Sequence, residues 1–316
     1  MPLHPFVEKM LEAMRASDWK GVAASTPDEA RKFFAARAAQ AGTPPEIGTS
    51  TDIEIPTRSG AIKGRVLMPK DGKPTSLVVF YHGGGWVIGS IDDCDFIARF
   101  MIEKTNCAAV LVEYRLAPEH PYPTPLDDCW DGLVWSAKEA ERLKVPLVVA
   151  GDSAGGNLAT VCAMLARDRG GPKIALQILM YPVCDCDTET PSYRENGKGY
   201  VLTAADMGWF YDHYLQGDKN KRADPLISPL RARELKGLPP ALIMSAEYDV
   251  LRDEAEIYGR RLAAAGVKVW IKRYRGMTHG FVRLQNFVDV ARAGMDDIAK
   301  AMAETAGATL GGSKKP

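Results

Sequence analysis

The spacing of apolar residues changes period twice along the chain. Between residues 3 and 41 it is helical: Phe6, Met10 and Met14 recur every four positions, Thr26-Pro27-Asp28-Glu29 has the form of a capping box with proline at the first helical position, and Phe33-Phe34 follows. Over residues 51–56 and 62–68 apolar and polar positions alternate, as in two antiparallel strands. Beyond residue 76 the alternation stops. Short apolar runs at 77–81, 108–113, 147–150, 175–180, 241–245 and 267–274 are separated by helix-like segments, which predicts a mostly parallel sheet with helices on both faces. The legible helices are 126–143, 156–168, 253–265 and 287–306.

Residues 183–239 interrupt this rhythm and are too long for a plain loop. Within them Thr203 and Asp206 offer a capping box for a helix carrying Met207, Trp209, Phe210 and Tyr214, closed by Gly217. The expected organisation is therefore an N-terminal helical cap segment, 1–45, then the first part of an α/β core, 46–182. The inserted cap segment, 183–239, is followed by the second part of the core, 240–306. The small, polar tail 307–316 is expected to fray. Helices that precede the sheet must lay their apolar face on something, and the mouth of the core is the expected place, with the back of the sheet as the alternative.

Composition narrows the class. Forty basic and forty acidic side chains cancel in the 316 residues, so no global field draws in nucleic acid or anionic lipid. Apolar content of 46% and charged content of 25% are those of an ordinary globular chain. No apolar stretch is long enough to span a membrane, and Met1-Pro2-Leu3-His4-Pro5 lacks a secretory signal pattern, so a cytoplasmic location without stable membrane insertion is expected. The six cysteines are expected as reduced thiols. Cys184-Asp185-Cys186 has neither CxxC spacing nor a nearby histidine, so no metal site is expected.

The chemistry lies in two glycine-rich strings roughly seventy residues apart, each directly after an apolar run: His82-Gly83-Gly84-Gly85-Trp86 and Gly151-Asp152-Ser153-Ala154-Gly155-Gly156-Asn157. The second fits a nucleophile elbow, G-x-S-x-G, and the first a loop whose backbone N–H groups stabilise an oxyanion. Together they predict an esterase. Ser153 needs a base, and of the five histidines His279, in a loop directly after the last apolar run, is the expected one. The expected acid is Asp249, with Glu247 as the alternative; Asp253 and Glu254 fall where N-capping and the helix dipole explain them. Gly83, Gly84, Gly85 and Ala154 are the expected oxyanion donors. His82 is expected to tie down the oxyanion loop and Asp152 to bond nearby loops. Trp86, Trp209, Phe210, Tyr214 and Phe281 are candidate pocket residues.

These motifs, with Tyr114-Arg115-Leu116-Ala117-Pro118-Glu119-His120-Pro121, Asp224-Pro225 and Ser228-Pro229-Leu230, resemble the bacterial hormone-sensitive-lipase (family IV) carboxylesterases of the α/β-hydrolase superfamily. Asp152 is similar to the subgroup whose elbow reads GDSAG. The resemblance implies an eight-stranded sheet, a helical cap and no cofactor. It further implies hydrolysis of short- to medium-chain small-molecule acyl esters by Ser153, His279 and Asp249, and a homodimer through the last strand and helix. The same site acting on an amide, lactone, carbamate or acetylated sugar is the alternative. A non-catalytic receptor on this scaffold would be expected to lack a triad member, and this chain has all three. Val250 stands where such relatives usually carry proline, which predicts a slightly looser acid loop.

Overall fold

The computed structural model describes residues 2–38 and 41–311. They build one eight-stranded sheet ordered β1-β2-β4-β3-β5-β6-β7-β8. Its strands are β1 Thr49–Thr57, β2 Gly60–Met68, β3 Leu77–Tyr81, β4 Ala108–Val112, β5 Leu147–Asp152, β6 Leu176–Met180, β7 Ala241–Tyr248 and β8 Val269–Thr278. β2 runs antiparallel to β1 and β4, and every other pairing is parallel.

β3, β4, β5 and β6 are buried along their whole length, which is why they read as unbroken apolar runs rather than as alternating ones. The pleat divides them between two cores. Leu77, Val79 and Tyr81 pack on one face with α4 Thr124–Leu143, α5 Ala154–Asp168 and α8 Arg252–Ala264. Val78 and Phe80 point the other way, onto α3 Ile91–Thr105 and α9 Asp289–Gly311. Each fully buried Leu, Val or Phe stabilises the fold by about 1.5–3 kcal/mol.

Several boundaries move from those expected, for local reasons. The 156–168 helix begins at Ala154, because Ser153 is its N-cap. β8 continues past Tyr274 to Thr278, since Tyr248 pairs with Thr278 beyond a register shift. α3 and the short α6 Pro191–Asn196 are additions to the legible set, although the Ser90/Asp93 capping box of α3 was a readable start signal. α9 runs through Gly311, into the tail expected to fray, and residues 312–316 lie outside the described residues.

Above the carboxyl ends of the parallel strands sit α1 Pro5–Ala16, α2 Pro27–Ala38 and α7 Ala204–Leu215. α7 starts at the Thr203/Asp206 capping box, as its sequence predicts. Val7 and Leu11 of α1 pack into the α3/α9 core, while Phe6, Met10 and Met14 line a cavity over Ser153. Among the described residues no helix is long and apolar enough to cross a membrane.

Candidate active site

β3 is flanked by β4 on one side and β5 on the other, so successive crossovers leave it in opposite directions. Such a switch point opens a crevice at the carboxyl ends of the strands. Tyr81 of β3 is in register with Gly151 of β5, which sets His82-Gly83-Gly84-Gly85 beside Asp152-Ser153. The two glycine-rich strings are neighbours because of this topology.

Ser153 turns the chain from β5 into α5 with φ 57° and ψ −120°, a conformation costly for a residue with a side chain. Its N–H donates to Met180 O at 2.9 Å, which anchors the turn. A Cβ on Gly155 would collide with the Tyr81 carbonyl oxygen, so only glycine lets α5 start against β3.

His279 follows β8, and its Nε2 lies 2.9 Å from Ser153 Oγ. Its Nδ1 lies 2.7 Å from Asp249 Oδ2. Asp249, 1% exposed, also accepts the Leu251 N–H at 3.0 Å through Oδ1, so its carboxylate is oriented from both sides. The Tyr181 ring sits 4.6 Å from the imidazole and closes the far side. This arrangement allows proton transfer from a serine hydroxyl to an imidazole whose tautomer is fixed by a buried carboxylate.

The other acids of this loop point elsewhere. Glu247 accepts the Gly276 N–H at 2.7 Å, bracing β8 rather than His279. Asp253 and Glu254 do occupy the first turn of α8, but their carboxylates do more than serve that helix. Asp253 takes the Ser192 N–H at 2.8 Å and pairs with Arg252, while the fully buried Glu254 takes the Cys184 N–H at 2.7 Å. Burial pushes the Glu254 carboxyl well above the usual carboxylate range, aided by repulsion from Asp185 and Asp249 and opposed by its backbone hydrogen bonds.

The oxyanion loop differs from expectation at one position. Gly83 donates its N–H to Asp152 Oδ1 at 2.8 Å and is thereby engaged. Among the described residues no acceptor takes the N–H groups of Gly84, Gly85 or Ala154. Ala154 opens α5, where helix geometry leaves the first donors free. Gly84 holds φ +122°, and a Cβ there would strike the Ile88 carbonyl.

His82 is buried; its Nδ1 lies 2.7 Å from Gly83 O, and its ring stacks on Tyr114, whose hydroxyl donates to His82 O at 2.7 Å. Asp152 bonds nearby loops: besides Gly83 it holds Arg283, whose Nη2 is 2.9 Å from Oδ2. Arg283 also donates to Asp93 O at 2.6 Å. Nothing local in the sequence singles out Arg283, since its partners lie far back along the chain.

A cavity of about 580 Å³ opens above Ser153. Of the five aromatic pocket candidates only Phe210 lines it. Trp86 and Tyr214 are buried and stacked on each other at 4.3 Å beneath the loop, and Phe281 packs between Tyr181 and Tyr274 in the core. Trp209 is half-buried and abuts His213. Much of the apolar wall comes instead from the N-terminal segment, through Phe6, Met10, Met14, Trp19, Phe33 and Phe34. Helical periodicity marked several of these as apolar positions without indicating which void they face. The six cysteines are free and buried; burial pushes the Cys162 thiol up to about 12.

A family model described as alpha/beta hydrolase fold matches residues 78–283. The carboxylic ester hydrolase LipN of Mycobacterium tuberculosis is 38% identical over 309 residues, spanning 95% of this chain and 82% of that protein. An ethyl acetate hydrolase of Pseudomonas putida is 34% identical over 315 residues, covering 96% of this chain and 99% of that one. Among solved structures, a hyperthermophilic esterase from the archaeon Pyrobaculum calidifontis superposes with a TM-score of 0.90 at 37% identity. That match covers 97% of this chain and 99% of the other.

Proposed function

The chain belongs to the alpha/beta hydrolase fold family, among its carboxylic ester hydrolases, and from that premise we propose that Ser153, His279 and Asp249 form its catalytic triad. The hormone-sensitive-lipase-like resemblance carried by the 81–86 and 151–157 motifs falls within that family. The substrates are short- to medium-chain acyl esters, and the reaction passes through an acyl-enzyme. The observation that carries this reading is the continuous chain of contacts from Ser153 Oγ through both ring nitrogens of His279 to Asp249.

Ser153 Oγ attacks the ester carbonyl while His279 Nε2 takes its proton, and Asp249 stabilises the imidazolium. The developing oxyanion is met by the N–H groups of Gly84, Gly85 and Ala154, which no acceptor takes among the described residues. His279 then protonates the departing alcohol. Water, deprotonated by the same imidazole, attacks the acyl group and restores Ser153. Ser153→Ala should lower kcat on p-nitrophenyl butyrate by at least about 10⁴-fold; near-wild-type turnover would overturn the mechanism.

Residues 1–45 and 183–239 are assigned to the cap, over a core of 46–182 and 240–306. Its support is that both cap segments line the cavity, for example through Phe6 and Met207. Free, buried thiols accord with a reducing, cytoplasmic setting. Homodimerisation is assigned to the last strand and helix, β8 and α9, on the β8 edge of the sheet, where Ile271 is 37% exposed; a monomer mass in sedimentation would refute it.

A further inference from the structure

The cavity wall above Ser153 is largely apolar, yet Arg15 and Arg37 of the N-terminal helices line it as well. The carboxylates that share the wall are committed elsewhere. Asp152 is paired with Arg283. Asp93 closes the capping box of α3. Asp206 closes that of α7 and accepts the Ala23 N–H at 3.0 Å.

Arg37 is different from the other shielded arginines of this protein. Arg31, Arg115, Arg252 and Arg283 each hold a carboxylate. Arg37 is half-buried and has no carboxylate or carbonyl partner among the described residues. Its guanidinium carbon lies 5.9 Å from the centroid of the Phe33 ring, and Phe33 stacks on Trp19 at 3.8 Å. Burial lowers its pKa with no acid to offset the effect, and a guanidinium stays charged regardless. A shielded cation without a counter-charge is unfavourable, and an anion brought in by a ligand relieves it. Arg15, exposed beside the same cavity, reaches the Gly199 carbonyl at 3.4 Å.

We propose that Arg37, assisted by Arg15, is a subsite for an ionised carboxylate carried by the substrate. The preferred substrates are then amphiphilic esters, in which an apolar chain separates the scissile carbonyl from a terminal acid group. The chain lies against Met10, Met14, Phe34, Met207 and Phe210, and the acid group meets the guanidinium. This inference rests on the ester-hydrolase reading above and names the substrate class of that site.

The test compares kcat/KM for p-nitrophenyl half-esters from adipate to sebacate with neutral esters of matched length. Acetyl esters of ω-hydroxy acids, beside acetyl esters of neutral alcohols, form a second arm that places the carboxylate on the alcohol side. The readout is the acid-to-neutral ratio, which does not depend on how much of a preparation is folded. Arg37→Met should lower this ratio by about tenfold, Arg37→Lys should restore most of it, and added salt should erode it in the wild type. The arm that responds identifies the side that carries the acid.

Hydrolysis with a ratio that is the same in Arg37→Met and the wild type would overturn the subsite. Equilibrium binding of the same esters to Ser153→Ala reads the subsite without the chemistry. A carboxylate preference there, lost in the Ser153→Ala/Arg37→Met double variant, would support the subsite even if no ester were hydrolysed, and the ester-hydrolase reading alone would then fall.

Discussion

Asp152 adjoins Ser153, the proposed nucleophile, yet its two oxygens are spent on Gly83 and Arg283. It is the fastening between the oxyanion loop and the turn that follows His279. Removing it releases Gly83 and leaves Arg283 without its carboxylate. Asp152→Ala should lower kcat by about 10- to 100-fold with KM moved by less than about threefold, because the loss falls on charge that develops only in the transition state. Steady-state kinetics check this, and a change confined to KM would contradict it. Glu254 gives a second prediction at this scale. Its folded carboxyl keeps a proton that the unfolded chain releases above the ordinary value of 4.5, so its contribution to stability falls as pH rises from there. Glu254→Gln removes that titration while retaining an acceptor for the Cys184 N–H. Thermal melts should show the Tm of the variant gaining on the wild type as pH rises above the ordinary carboxyl value of 4.5, and a constant difference would refute the assignment.

The helices of the roof are held by contacts that no periodicity announces. Arg31 of α2 takes both oxygens of Glu119, at 2.8 and 2.7 Å, and also donates to Val87 O and Ala117 O, each at 2.9 Å. It thus ties α2 to the loops after β3 and β4. The Arg31 guanidinium holds Glu119 down at about 2, so the tether is complete above the unfolded carboxyl value of 4.5 and is lost as pH falls from there through about 2. Glu119 is half exposed, and solvent screening moderates the ion pair. Arg31→Met should raise KM by about three- to tenfold with a smaller change in kcat, since the roof binds substrate but carries no reacting group; an effect on kcat alone would count against this. The elements themselves were legible. α1, α2, α7 and the buried strands announce themselves by period and caps, and Ser153 and His279 stand out by motif and chain order, whereas Asp249 is separated from Glu247 only by its contact with His279 Nδ1. What stayed hidden was which buried aromatics face empty space: Trp86 and Tyr214 read as pocket walls and are packed on each other. A hydrophobic pattern reports exclusion from water, which protein atoms and an open cavity satisfy equally. Gly83 was misread for a related reason, since a glycine motif marks close backbone approach without saying which N–H is already taken.

Across the whole molecule, the sheet supplies the chemistry and the segments around it supply the container. Ser153, the Gly83–Gly85 loop and His279 stand at the carboxyl ends of β5, β3 and β8, whereas most of the apolar wall of the 580 Å³ cavity comes from residues outside the sheet. For neutral esters, kcat/KM should climb about fourfold per added methylene, from about 0.8 kcal/mol each, until the chain fills this volume, and should then fall steeply. An acyl series from acetyl to dodecanoyl checks this, and a flat profile would argue against a bounded cavity. Arg283 lies on the short turn Phe281–Arg283, just beyond His279. A displacement of this one turn would therefore draw on the imidazole of His279 and, through Arg283 and Asp152, on Gly83 together. Strain or a bound partner pulling there would weaken both at once while leaving the sheet in place.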